Sequence, residues 1–523
     1  MSSVEAADAP IAEFDNGDGR ITLDKSDPRL VESRYCNDDL APTAIEQRHW
    51  GLYNYTALWV GMSHCIPSYL LASGLVALGM NWVQAIICIG AANLIVLVPM
   101  LLNAHAGTKY GIPFPVFARA SLGVRGANFA AILRALIACA WFGIQTWIGG
   151  EGIYVLLGKL VGNSWQNAGQ VFGYPWTQWL CFFAFWAVQI VIILRGMETL
   201  RRFENWAAPF VIVGAIALLI WITVKAGGFG PLVREAPKLG WGADFWTVFF
   251  PALMGMIGFW STMSLNIPDF TRFGGSQRKQ MWGQALGLPT TMTFFALIAV
   301  LITSGTEVVY GHAIWDPIQL SAKLNSDLAI VVALAVVMVA TVSTNVAANT
   351  VSPSYDFSNI APRIVSFRVG GVITGVIAII MQPWRLLSNP HIYIFTWLGF
   401  YGGLLGAVAG LLVADYWIVR RSRLALGELY TRQGRYWYSS GWNVVGLVAA
   451  LVGMVLACGG AYSTPGNGPF PEHGLIPFLK PLYDYSWAVG FGAALLVYVL
   501  LFPVAARANS RRNTQNVPVG AQS

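Results

Sequence analysis

Four stretches of this 523-residue chain set polar or helix-breaking residues inside long apolar surroundings. The first is Gly61-Met62-Ser63-His64-Cys65-Ile66-Pro67. Pro67 has no amide proton to donate and disfavours helix at Ile66. Gly61 tolerates unwound geometry. Carbonyls freed at such a break can line an ion or substrate site. The competing reading is a proline kink repaired by neighbouring helices. The second stretch is Gly255-Met256-Ile257-Gly258-Phe259-Trp260-Ser261-Thr262, followed by Asn266-Ile267-Pro268-Asp269. It lies five apolar segments after the first. Two interruptions at corresponding positions of two halves predict an inverted repeat with its site at the midplane.

The third stretch carries Trp141 and Gln145 at i and i+4, on one helical face. A buried Gln must find partners for its amide. An indole beside it gives a flat apolar wall next to a polar edge, which suits a planar heterocycle with amide groups. An interhelical Gln hydrogen bond beside a packing Trp explains the pair equally well. The fourth carries Ala340, Ser343 and Thr344 at i, i+3 and i+4, beside a stripe of Asn345, Asn349 and Ser352. Hydroxyls with a neighbouring carbonyl suit sodium, and small-residue packing glued by hydroxyls is the alternative. His64 can serve as a proton carrier or as a neutral structural histidine. Arg134 is expected to snorkel to the cytoplasmic boundary. Glu151 is expected near the outer end of its segment. GxSxG, HExxH and Walker patterns are absent from the sequence, so no enzyme activity and no cofactor are expected. Any transport would then have to be driven by an ion gradient, Na+ or H+.

These residues need membrane helices to position them. The chain is 56% hydrophobic and 11% charged, against roughly a quarter charged in soluble proteins. A helix needs about 20 apolar residues to cross the hydrocarbon core. Twelve such segments are expected, at about 50–76, 82–102, 127–158, 175–194, 204–225, 245–268, 283–304, 328–352, 370–387, 391–419, 441–462 and 486–506. The tails 1–48 and 507–523 read as disordered or loosely ordered, and the first lacks the apolar core of a signal peptide. Lys and Arg concentrate in alternate loops, including Arg119, Arg125, Arg195, Arg272, Arg363 and Arg420. The positive-inside rule then puts both termini in the cytoplasm. The net charge of +7 follows from this topology, with no contiguous soluble basic face for nucleic acid. The six cysteines are scattered with no CxxC pair, against a disulfide framework or zinc site.

Several runs resemble motifs of the nucleobase:cation symporter-1 family. They are His105–Pro115, Trp141–Trp147, Arg201–Glu204, Asn266–Arg272, Ser343–Asn349 and Ala414–Tyr416. Ser63–Pro67 and Asn266–Arg272 are most similar to bacterial allantoin permeases and related uracil and hydantoin carriers. The resemblance implies an all-α membrane protein of 12 helices, with a leucine-transporter-like core of two inverted five-helix repeats and discontinuous helices 1 and 6. It divides the chain into a tail at 1–48, repeats at 49–225 and 226–435, helices 11 and 12 at 436–506, and a tail at 507–523. Matching positions imply stacking of a substrate ring by Trp141 and Trp260, and amide recognition by Gln145 and Asn349. They imply a sodium site from backbone carbonyls at Gly61 and His64 with oxygens of Ala340, Ser343 and Thr344. Phe259 stands where the hydantoin carrier has Gly, and Cys65 replaces a Gln near the substrate, so both reshape the pocket. The function implied is import of a planar amide heterocycle (allantoin, hydantoin or a nucleobase such as uracil) with Na+ or H+. A non-transporting receptor for the same ligands is the runner-up. The expected location is the cell membrane, the expected partners are the small-molecule substrate and the bilayer, and no nucleic acid or obligate protein partner is expected.

Overall fold

The computed structural model describes residues 11–195, 197–233, 238–312, 314, 316–382, 384, 391–432 and 434–515. Arg234 and Arg385, expected in outer loops by the positive-inside rule, and the ends of both tails lie outside the described residues. So do the side chains of Arg201 and Glu204.

All twelve expected segments coincide with helices. They are α1 (Leu52–Ser63 and Ile66–Ala77), α2 (Trp82–Tyr110), α3 (Ala127–Val161), α4 (Trp176–Leu194), α5 (Met197–Lys225) and α6 (Ala243–Asn266). Then follow α7 (Gln277–Tyr310), α8 (Asp327–Asn349 and Val351–Ile360), α9 (Phe367–Met381), α10 (Ile392–Val419), α11 (Val444–Cys458) and α12 (Ser486–Gln515). Among the described residues, eight helices are long and apolar enough to span a membrane, and the bent pair of α1 makes nine. The apolar parts of α5, α9 and α11 are shorter helices.

Local sequence fixes many of the ends. Asn81 caps α2 in a reciprocal box with Gln84, at 2.9 and 3.0 Å. At the other end Gly111 takes φ +68, the left-handed conformation that closes a helix. Arg48 fills the space beside Gly111 that a side chain would need, and donates to the carbonyls of Thr43 at 2.8 Å and Tyr110 at 3.3 Å. A cation at a helix C-terminus is favoured by the helix dipole.

The breaks sit where the backbone requires them, with one displacement from expectation. The two halves of α1 meet at 59° around His64 and extended Cys65, as Pro67 predicts. The expected interruption at Gly255–Thr262 is not found there. That part is continuous helix, and the interruption falls in the Asn266–Asp269 part of the same expected stretch, at Ile267, before the short helix Pro268–Thr271. The physical reason is Pro268, which cannot donate, whereas Gly255 and Gly258 are used for contact. A Cβ on Gly258 would run into the carbonyl of Leu398 on α10. A second break, not anticipated, falls at Thr350 and divides α8.

Two further expectations need correcting. Arg134 does not snorkel, but is fully buried between α3, α6 and α8. Residues 11–48 are not loose. They form the hairpin β1 (Glu13–Asp15) and β2 (Ile21–Leu23) and then clasp the ends of the bundle. Arg272 donates to Asp39 O and Ala41 O at 2.6 Å and to Thr43 Oγ1 at 2.7 Å. Asn37 donates to Ser358 Oγ and Pro362 O, both at 2.9 Å. Backbone carbonyls, which composition does not weigh, supply most of this attachment. At the other terminus α12 continues as helix to Gln515.

α10 packs against α11 and α12 through small residues. Gly403, Gly406 and Gly410 admit Cys458, Trp487 and Phe491 at backbone distance. A Cβ at Gly410 would collide with the carbonyl oxygen of Phe491. Gly410→Leu is therefore expected to destabilise the protein by about 1–3 kcal/mol, the usual cost of overpacking. A lowered melting temperature of the purified protein in detergent is the measurement.

Candidate functional site

The break in α1 leaves carbonyls that must find donors inside the protein. Thr344 Oγ1 donates to Gly61 O at 3.1 Å and lies 3.3 Å from Met62 O. This ties the middle of α8 to the end of the first half of α1. Ser343 and Ala340 are buried on the same α8 helix. The break is braced on its other sides too. Ser63 Oγ meets Thr291 Oγ1 at 3.1 Å, and Tyr393 donates to Pro67 O at 3.0 Å. His64 Nδ1 is 2.6 Å from Val60 O, so that nitrogen carries the proton and donates. The His64 ring also packs on Phe295, with centroids 4.6 Å apart. Its visible contribution is to terminate the helix and to hold the break open as backbone.

The aromatic residues converge on one wall. Trp141 donates Nε1–H to Tyr401 Oη at 3.2 Å. Its ring lies edge-on to Phe259, 5.6 Å between centroids, and near Tyr393 at 6.1 Å and Trp397 at 6.2 Å. Phe259 in turn meets Trp260 at 4.9 Å, and Trp260 meets Trp59 of α1 at 5.1 Å. Phe259 therefore packs on both tryptophans that were expected to clasp a ring. Perpendicular rings at these separations are the favoured arrangement. Trp260 Nε1 and Gln145 Oε1 are buried without a protein partner. Unpaired polar atoms beside flat apolar faces are what a ligand with its own donors and acceptors would satisfy.

Asn349 is held by a relay that sequence reading missed. Its Nδ2 donates to Asn345 Oδ1 at 2.9 Å. Asn345 Nδ2 donates to Gln189 Oε1 of α4 at 2.6 Å and to Phe142 O of α3 at 3.1 Å. Gln189 Nε2 donates to Thr146 Oγ1 at 3.1 Å. Gln189 stands alone in a strongly apolar run, and that isolation was the available signal. Along α3 the faces divide, with Trp141 and Gln145 on one and Phe142 and Thr146 on the other. Among the described residues no hydrogen bond joins Gln145 to Asn349 directly. The expected ligand-binding residues Cys65, Trp141, Gln145, Phe259, Trp260 and Asn349 are all buried, none above 8% exposed.

A cavity of about 260 Å³ lies beside this cluster, not within it. It is bounded by His64, Cys65 and Tyr69 of α1, Trp221 of α5, Phe295 of α7 and Ala340 of α8. Of the expected site residues it touches only His64, Cys65 and Ala340. The polar relay is testable on its own. Gln189→Ala strips Asn345 of its buried acceptor and is expected to cost about 1–3 kcal/mol. The check is thermal unfolding, with Gln189→Glu, which keeps the acceptor oxygen, losing less.

Residues 42–490 match the family model described as permease for cytosine/purines, uracil, thiamine, allantoin. An allantoin permease of Bacillus subtilis is 38% identical over 478 residues, covering 90% of this chain and 94% of the relative. A purine-uracil permease of Arabidopsis thaliana is 39% identical over 502 residues, covering 94% and 81%. Among solved structures, a nucleobase-cation-symport-1 family transporter, in a closed conformation with bromovinylhydantoin bound, superposes with a TM-score of 0.73. That match is 26% identical and covers 91% of this chain and 96% of the other. The fold is thus leucine-transporter-like, with α1–α5 and α6–α10 as its two inverted five-helix units. A family match across most of the length, a shared fold and the apolar helices together make this chain a multi-pass membrane transporter that belongs to the permease family for cytosine/purines, uracil, thiamine and allantoin.

Proposed function

We propose that the protein imports a small planar heterocycle bearing amide groups, in the range of allantoin, hydantoin and nucleobases such as uracil, coupled to Na+ or H+. The observation that carries this reading is the double use of α8. Thr344 is bonded to the carbonyls at the α1 break. Asn349, further along the same helix, belongs to an amide relay that reaches α3 and α4. A cation held by Gly61 O, His64 O, Ala340 O and the hydroxyls of Ser343 and Thr344 would fix the orientation of α8. That orientation presents Asn349 to the substrate. By linkage, substrate then tightens cation binding by the same factor.

Trp141 and Trp260 supply the flat walls, each worth on the order of 1 kcal/mol beyond burial. Gln145 and Asn349 read the amide edges. An analogue lacking those groups leaves buried amides unpaired and is rejected. Phe259 and Cys65 shape the remaining space. Relatives named for allantoin and for purines and uracil, and a bound hydantoin in the related structure, support this substrate class. The charge asymmetry of the loops supports cytoplasmic termini in a cell membrane. The division at 49–225, 226–435 and 436–506 into two repeats and a peripheral pair follows the same assignment.

Counterflow of labelled allantoin, hydantoin and uracil in proteoliposomes, with and without a sodium gradient, tests the proposal. At least one should exchange, and exchange of none would overturn it. Gln145→Ala and Asn349→Ala are each expected to lower uptake about 10- to 100-fold, from the cost of a lost buried hydrogen bond, while surface expression is unchanged. Normal uptake by both would remove them from the site. Phe259→Gly should improve competition by ring-substituted hydantoins about tenfold relative to the unsubstituted ring, the scale of a small steric change in an apolar pocket.

A further inference from the structure

Among the described residues, the three most deeply buried Arg and Asp side chains lie outside the site just described. Arg134 on α3, Asp269 in the short helix Pro268–Thr271 and Asp356 in the second half of α8 are each 0% exposed. Arg134 spends its bonds on neither acid. Its Nε donates to Asn266 Oδ1 at 3.1 Å and its Nη2 to Ala348 O at 2.9 Å. Asn266 also donates to Ser352 Oγ. Arg134 Nη1 has no protein partner. Asp269 Oδ1 accepts from the Phe114 amide at 2.7 Å, and its Oδ2 has no protein partner. Neither oxygen of Asp356 has one. The guanidinium acts electrostatically on both carboxyls, and the carboxyls act on each other.

The other ionisable groups around Asp356 are spent or face away. Arg119, in the helix Phe114–Leu122, donates to Asn359 Oδ1, Leu429 O and Tyr35 O. Arg272 is committed to Thr43 and the carbonyls of Asp39 and Ala41. Arg368 on α9 is exposed. Cys139 on α3, Tyr401 on α10 and Tyr355 beside Asp356 complete the surroundings. Arg134 therefore acts on both buried carboxyls; Arg272 also acts on Asp269, while Arg134 is the one guanidinium acting on Asp356. A buried carboxylate without donors or a direct ion pair costs several kcal/mol. Asp269 has a backbone donor, and Asp356 has none.

We propose that Asp356 is a proton-binding site of the inner gate, neutral in the closed bundle and ionised when the second half of α8 parts and admits water. The proton comes from cytoplasmic water on closure and returns to it on opening. No other bond changes. The readout reaches the substrate site through Arg134. Its bond to Ala348 O grips the last turn before the Thr350 break, next to Asn349. With Asp356 neutral, Arg134 balances Asp269 and holds that turn. With Asp356 ionised, a second carboxylate competes for the guanidinium. Lower internal pH should then favour closure. The gating half of this inference rests on the transport reading above, and the proton site itself does not.

Infrared difference spectra of the purified full chain, recorded between acid and alkaline pH without substrate, test the site directly. The wild type should show a protonated-carboxyl band that shifts in D₂O and that Asp356→Asn removes. Absence of the band in the wild type, or its persistence in Asp356→Asn, would overturn the proposal. If the Asn variant does not fold, Asp356→Glu should move the band, and an unmoved band is again the negative result. Counterflow at varied internal pH and fixed external pH tests the gating. The wild-type rate should vary with internal pH, and Asp356→Asn should flatten the profile. A flat wild-type profile, or an Asn variant with the wild-type slope, counts against the gate. No counterflow at any pH would count against transport itself and leave the infrared result standing on its own.

Discussion

A carbonyl freed inside a bilayer has no water to turn to, so it must meet a donor from the protein or a cation. The rest of this structure depends on how that demand is met at Gly61 and Met62. The Thr344 hydroxyl answers it, and in doing so fastens α8 to the broken α1. The bracing around it follows from the same need. Tyr393 supplies Pro67 O, and the His64 ring supplies Val60 O. The break is thus braced by three other helices and by the His64 side chain.

Much of this was legible in the sequence, for identifiable reasons. Twelve apolar runs gave twelve helices because the hydrocarbon core imposes a length that composition records. Pro67 marked the α1 break because a missing amide proton is a local property. Ser343, Thr344 and Asn349 were visible because polar side chains in a bland span are costly and therefore informative. Gly255 and Gly258 misled, since glycine serves both unwinding and close approach, and only the neighbour decides. Here the neighbour is Leu398, and the helix runs straight through. The break at Thr350 did have a signal in Pro353, which cannot donate to the Asn349 carbonyl four residues before it.

Arg134 and residues 11–48 were misread for a shared reason. Both bond to backbone carbonyls of distant segments, such as Ala348 for Arg134 and Pro362 for Asn37. A sequence shows where side chains are, not where an unpaired carbonyl will end up. Gln189 belongs to the same class. Its meaning came only from Asn345 and Thr146, more than forty residues away on either neighbouring helix.

On the proposed assignment, Phe259 has a consequence for how such a transporter diversifies. The oxygens offered to the cation come from α1 and α8, while Phe259 stands on α6 and packs on the rings of Trp141 and Trp260. Ring size and ion coupling are then controlled by separate parts. A change at this one position can widen or narrow the cargo without disturbing the energy source. A lineage could move from one heterocycle to another in single mutational steps, each intermediate remaining a working pump.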